Sequence, residues 1–152
     1  MKELKVQPIR NGTVIDHISP GMALKVLHIL RIPQAGMTST VTAAINVPSK
    51  HMGRKDIVKV EDRELDAHEV NKISLIAPRA SINIIREYEV AEKHRVALPD
   101  IVEDIVRCPN PSCITNQAEP VKSAFKVVQK DPPRLQCGYC DRSVVDVAAQ
   151  LR

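Results

Sequence analysis

Cys108-Pro-Asn-Pro-Ser-Cys113 and Cys137-Gly-Tyr-Cys140 are two close cysteine pairs with 23 residues between them. A pair two to four residues apart on a turn aims two sulfurs at one point, and Pro109, Pro111 and Gly138 are turn formers. Two such knuckles supply the four thiolates of a tetrahedral zinc site. The stretch from Val121 to Gln129 and then Asp131-Pro132-Pro133 reads as a strand and turn that bring them together. Two disulfides and an iron–sulfur cluster are the alternatives, and a reducing compartment disfavours the disulfides. Four thiolates close the coordination shell, so one such zinc ion per chain is structural rather than catalytic.

No cysteine lies in the first 107 residues. That asymmetry divides the chain into residues 1–98 and 99–152, with the boundary near Leu98-Pro99-Asp100, after the charged Glu92-Lys93-His94-Arg95. The second part is too short for a large core, so a small all-β domain of zinc-ribbon or rubredoxin-like type, built round the metal, is expected. The first part alternates strands and helices. Thr13 to Ile18 is apolar and β-branched, a strand. Ser19-Pro20 offers an N-cap and a proline at the first helical position; Met22, Val26, Leu27 and Leu30 follow at helical spacing, and Pro33 stops the run. Val41 to Val47, ended by Pro48, and Asp56 to Glu61 are strands. Asp66 with Glu69 resembles a capping box ahead of Val70, Ile73 and Ala77, and Pro78 terminates that helix. Ser81 to Val90 reads as one long strand. Strand, helix, strand, strand, helix, strand is the ferredoxin-like plan, an α+β fold whose antiparallel sheet carries both helices on one face. The other face is left for a ligand or another subunit.

The 152 residues are 43% hydrophobic and 26% charged, which excludes a wholly disordered chain. With no Trp, one Phe and two Tyr, the core is aliphatic and stacking platforms for single-stranded nucleic acid are absent. The formal charge of +4 is spread among acidic residues rather than gathered in a stripe. It suits a small anion at least as well as a polymer, although a zinc-ribbon nucleic-acid-binding protein is the second reading. No apolar run spans a bilayer and the first twelve residues lack a signal-peptide core, so a soluble cytoplasmic protein without membrane contact is expected.

Neither GxxxxGK[ST] nor GxGxxG occurs, no cysteine lies outside the metal cluster, and no histidine pair has H-E-x-x-H spacing. Acyl, phosphoryl and hydride transfer have no visible machinery. Lys55 and Lys59 are four apart and share a strand face. With Lys93 they suit phosphate groups, and Asp16-His17, at the end of the first strand, suits a sugar hydroxyl or a phosphate. The competing reading is a solvated lysine face that keeps a sheet edge soluble.

Several stretches together carry a resemblance: Gly12-Thr-Val-Ile-Asp-His-Ile18, Met52-Gly-Arg-Lys-Asp56 with Lys59, Ala77-Pro78, Asn83, and Tyr88-Glu-Val90. Further on come Cys108-Pro-Asn-x-x-Cys113, Ala118-Glu-Pro-Val121 and Cys137-x-Tyr-Cys140. In this order, from about Val6 to Val147, the sequence resembles the regulatory chains of aspartate carbamoyltransferase. The resemblance implies a non-catalytic chain of pyrimidine biosynthesis that forms homodimers through its N-terminal domain and links trimers of a separate catalytic chain. It implies CTP and ATP as effectors of the first domain, and a zinc domain, held by Cys108, Cys113, Cys137 and Cys140, that docks on the catalytic chain. By similarity Lys93 contacts phosphates with His17 nearby, Lys59 and Asp16 sit near ribose and base, and Lys55 and Ile57 belong to the same effector site. Val6, Gln7, Pro8, Ile9, Val14, Asn83, Ile85, Tyr88 and Val90 line the base and sugar pocket. The loop Pro109 to Ser112 is expected in the docking face. Pro8 has no backbone N–H, so base recognition there falls to carbonyls or neighbouring amides.

Overall fold

In the computed structural model the described residues are 8–118 and 121–151. They form two compact units that divide between Val96 and Ala97. The expected positions Val6 and Gln7, and Glu119 and Pro120 of the resemblance, lie outside the described residues.

The first unit runs β1 (Gly12–Ile18), α1 (Ala23–Ile29), β2 (Val41–Ser49), β3 (Gly53–Glu61), α2 (Ala67–Ser74), β4 (Ser81–Arg86) and β5 (Glu89–Arg95). The sheet is antiparallel in the order β2-β3-β1-β4-β5. The first four strands and two helices are the ferredoxin-like α+β plan, with β5 added at one edge. Thr13 pairs with Val60 and Ile84, and Ile15 with Val58 and Ile82, so these six side chains share a face. All six are buried. Ala67, Val70 and Asn71 of α2 line one groove with Ile82 and Ile84, which marks this as the helix-covered face. Gly12, at φ 143°, enters the sheet so tightly that a Cβ would stand 2.2 Å from the Val60 carbonyl oxygen.

Three expectations about this unit need correction. The first helix starts at Ala23, not at Ser19-Pro20. Ser19 instead closes a turn by accepting from the Met22 N–H, and the amides of Gly21 and Ala23 donate to the carboxylate of Asp56 on β3, each at 2.9 Å. The helix is thus capped from across the sheet. β2 runs through Pro48 to Ser49, because an edge strand uses its N–H groups on one side only. Residues 81–90 are not one strand: Glu87 and Tyr88, both at positive φ, fold β4 back onto β5, which carries the charged Glu92 to Arg95. The capping box of Asp66 and Glu69 is present in both halves.

The second unit is a four-stranded antiparallel sheet, β6 (Ile101–Glu103), β7 (Ala124–Lys130), β8 (Pro133–Cys137) and β9 (Ser143–Val144), with two short 3-10 turns. Phe125, the one phenylalanine of the chain, is buried with Val102, Val106, Leu135 and Val144. The core is small. No helix among the described residues is long and apolar enough to cross a membrane.

Candidate functional site

The sheet face opposite the helices follows from the register. Val14 pairs with Lys59 on one side and Asn83 on the other, and Asn83 pairs with Lys93. One row across the sheet is therefore Lys59, Val14, Asn83 and Lys93. The next row toward the β4–β5 turn holds Glu61, Gly12, Ile85 and Val90. In the opposite direction come Asp16, Ser81 and Arg95, with Lys55 and Ile57 on β3. On its β4–β5 side the face passes from apolar, at Ile85 and Val90, through an amide and an ammonium group to densely charged; Glu61 and Lys59 stand on its β3 side.

At the charged end a cleft of about 450 Å³ is lined by His17, His51, Met52, Pro78, Arg79, Ala80, Lys93, Arg95 and Val96. A β-bulge in β1 builds its floor: the register slips between Ile15 and Ile18, and His17 takes φ 57°. That conformation lets the His17 N–H donate to Asp16 Oδ1 at 2.6 Å and puts its Nδ1 3.1 Å from Ser81 Oγ. The His51 ring, from the turn between β2 and β3, stands edge-on to His17 at 6.1 Å. Burial lowers the His17 pKa below 6.5, Asp16 opposes the shift, and Lys55, His51 and Lys93 reinforce it. Burial also lowers the pKa of Lys59, which is only 4% exposed. Lys55 is held by Asp16, Nζ to Oδ1 3.0 Å, which neutralises it locally.

The structure thus sorts the expected positions. His17 and Lys93 line the cleft; Asp16, Lys55, Ile57, Val14, Lys59 and Asn83 share its sheet face outside the lining; Ile85 and Val90 stand at the apolar end. Tyr88 lies in the turn beyond them and is two-thirds exposed, Ile9 is buried, and Pro8 is exposed. His51, Arg79 and Arg95 are cleft residues that sequence reasoning missed. Arg95 lies two residues beyond Lys93, so assigning Glu92 to Arg95 to a strand reveals it; Arg79 and His51 lie in connections without such a signal.

In the second unit the four Sγ atoms lie within 4.8 Å of one another, with Cys108 to Cys140 at 3.5 Å and Cys113 to Cys137 at 3.7 Å. Thiolates about 2.3 Å from a tetrahedral ion stand about 3.8 Å apart, whereas a disulfide needs about 2.05 Å. The geometry fits a metal and not disulfides; all four cysteines are free. Local hydrogen bonds shape both knuckles. Asn116 Nδ2 donates to the carbonyls of Cys108 and Asn110, and the Ser112 N–H donates to Asn110 Oδ1. The Thr115 hydroxyl and the Tyr139 N–H donate to the sulfurs of Cys113 and Cys137. Burial pushes the Cys108 thiol up to about 12, while Cys140, taking a hydrogen bond from the Arg142 backbone, falls to about 6. A bound dication makes all four thiolates.

Comparison with known proteins supplies the family. The aspartate carbamoyltransferase regulatory chain, allosteric domain, matches residues 4–97, and the metal-binding domain of that chain matches residues 100–148. This chain belongs to that family. It is similar to the aspartate carbamoyltransferase regulatory chain of Methanothrix thermoacetophila, 56% identical over 98% of this chain and 96% of the relative. It is also similar to those of Pyrococcus abyssi, 53% identical over 95% and 94%, and Methanothermobacter thermautotrophicus, 53% identical over 93% and 90%. The protein is thus a regulatory chain and not the transferase itself. The four-cysteine cluster falls inside its metal-binding domain. Between the two readings of the sequence, regulatory chain and nucleic-acid-binding zinc ribbon, the family is the former.

Proposed function

We propose that residues 1–98 form a nucleoside-triphosphate sensor and that residues 99–152, folded round one zinc ion, dock on the catalytic chain. The observation that carries this reading is the polarity gradient along β4 and β5 on the sheet face opposite the helices. An apolar end at Ile85 and Val90 suits a base, and Lys59, Val14 and Asn83 lie where a sugar would follow. The cationic cleft of His17, Lys93 and Arg95 suits a phosphate chain. CTP and ATP compete for this one site. Each acts only through its differential affinity for two arrangements of the assembly, typically about 1–3 kcal/mol of coupling. Cys108, Cys113, Cys137 and Cys140 hold zinc, whose closed tetrathiolate shell makes it structural.

The chain dimerises through its first domain and so links catalytic trimers. The two sheet edges support this. β5 is guarded by Glu89, Glu92, Lys93 and Arg95, whereas β2 presents Val41-Thr-Ala-Ala-Ile-Asn-Val-Pro-Ser49 without one charge, and Ile45 on it is half exposed. Pro48 and the bulge between Ala44 and Val47 blunt one end of β2, and the uncharged stretch from Val41 to Ala44 is left as a pairing site.

Titration of the metal-loaded chain with CTP and ATP tests the sensor. Lys93→Ala is expected to weaken both by about tenfold or more, the effect of removing a charged partner of phosphate. Equal affinity removes Lys93 from the site.

The pH dependence has a fixed sign. Unliganded His17 has a lowered pKa and is neutral at pH 7. A triphosphate beside it favours the imidazolium and raises that pKa, so a proton is taken up on binding. Affinity therefore rises as pH falls from the liganded pKa toward the unliganded one, which lies below 6.5. The phosphates of the nucleotide titrate near pH 6 as well. The diagnostic is the difference between wild type and His17→Gln, whose affinity is expected to change less with pH; parallel profiles exclude His17 as the proton acceptor.

A further inference from the structure

The turn between β4 and β5 is built from residues unsuited to it. A two-residue hairpin turn needs positive φ at both central positions and ordinarily uses Asn-Gly or Asp-Gly. Here the pair is Glu87-Tyr88, at φ 51° and 67°, with neither glycine nor asparagine. Such a conformation persists only where the surroundings impose it.

The surroundings are the two residues that lead into β1. The Tyr88 N–H donates to the Arg10 carbonyl at 2.9 Å. The Glu87 N–H donates to Asn11 Oδ1 at 3.1 Å. The Arg10 guanidinium pairs with the Glu87 carboxylate at 3.2 Å. Both partners of that ion pair are largely exposed, so it contributes little by itself. The amide contacts carry the clamp.

Its position gives it a role. Arg86 pairs with Glu89 next to the turn and Ile85 with Val90 one step further in, just before a slip in register between Ile84 and Ile85, and Gly12 pairs with Ile85. Ile9, next to Arg10, is buried. The clamp therefore joins the segment carrying Pro8 and Ile9 to the hairpin carrying Ile85, Tyr88 and Val90. Ile85 and Val90 stand at the apolar end of the sheet face opposite the helices. The cationic cleft lies at the other end, lined by none of these residues.

We infer that Arg10 and Asn11 are positioning residues that fix the base-recognising end of the effector site by holding the Glu87-Tyr88 turn in its left-handed conformation. This rests on the nucleotide reading of the face, and it assigns base affinity and phosphate affinity to separable parts of the structure.

The test compares CTP with inorganic tripolyphosphate by calorimetry on the full, metal-loaded chain. Wild type is expected to bind CTP more tightly. Asn11→Ala lowers CTP affinity about fivefold, the worth of one hydrogen bond, and leaves tripolyphosphate affinity unchanged. Asn11→Asp keeps an acceptor for the Glu87 N–H and retains CTP affinity. Adding Glu87→Gly to Asn11→Ala recovers the loss, because glycine adopts positive φ unaided. Unchanged CTP affinity in Asn11→Ala overturns the inference, and so does an equal loss for both ligands, which signals general loosening. A wild type that binds tripolyphosphate but prefers CTP not at all overturns the nucleotide reading and this inference with it.

Discussion

Chelating the metal is expected to unfold residues 97–152 and leave the five-stranded unit folded. The second unit has few large buried side chains, chiefly Phe125, Leu135 and Val106, and three of its four cysteines are buried among them. Structural zinc in small peptides contributes about 10–16 kcal/mol to folding at neutral pH, whereas a whole domain is stable by about 5–15 kcal/mol. At about 0.05–0.15 kcal/mol per residue a unit as short as Ala97–Arg152 is stable by less than about 10 kcal/mol, so the metal-free unit has no net stability. Amide resonances separate the outcomes: those of the second unit collapse to random-coil positions while those of β1 to β5 stay dispersed. If the second unit docks on the catalytic chain as proposed, the same treatment is expected to release the catalytic chains from the assembled enzyme. A chelated protein that keeps its second set of dispersed resonances, with the metal shown to be gone, refutes the structural role.

Asp56→Ala is expected to be the most damaging single substitution in the first unit, costing about 3–5 kcal/mol. Asp56 is fully buried. Oδ2 accepts from Gly21 and Ala23 at the start of α1, and Oδ1 accepts from Asn46 at 2.8 Å, in the bulge of β2. Hydrogen bonds to a charged group contribute about 1.5–3 kcal/mol each, and three orphaned donors account for a loss of this size. The carboxylate is also the one cap of a helix whose own N-cap, Met22, makes no side-chain bond, and a negative charge favours that end. For a unit of this size about 4–8 °C of melting temperature is lost per kcal/mol, so a fall of roughly 12–40 °C is expected. Urea denaturation of the metal-loaded variant checks it, with an unchanged m-value as the sign that stability alone moved. A fall under about 3 °C places Asp56 among ordinary surface positions.

The sequence made some of this plain and hid the rest for identifiable reasons. Cysteine spacing is a local pattern with one good solution, and it located the metal centre. Alternation and helical periodicity likewise gave the order of the first six elements of the sensor unit. The hidden features are those in which distant segments replace local chemistry. Ser19-Pro20 is a sound helix start locally, but Asp56, more than thirty residues away, sets the actual one. Arg86-Glu-Tyr-Glu89 has no turn former, and the turn exists because Arg10 and Asn11 impose it. With the turn unseen, β5 was unseen, and with it Arg95 as a neighbour of Lys93 on one face. The bulge that turns His17 into the cleft is a matter of register, and register is a property of strand pairs rather than of a stretch of residues.

The placement of the two tyrosines has a practical consequence. Tyr88 sits in the sensor turn and Tyr139 between two cysteines of the second unit, both well exposed, and the chain has no tryptophan to mask them. Each half thus carries its own native fluorophore. On the proposed assignment, replacing Tyr139 by phenylalanine is expected to leave an emission signal from the first unit alone, and replacing Tyr88 one from the metal-binding unit alone, with no label attached.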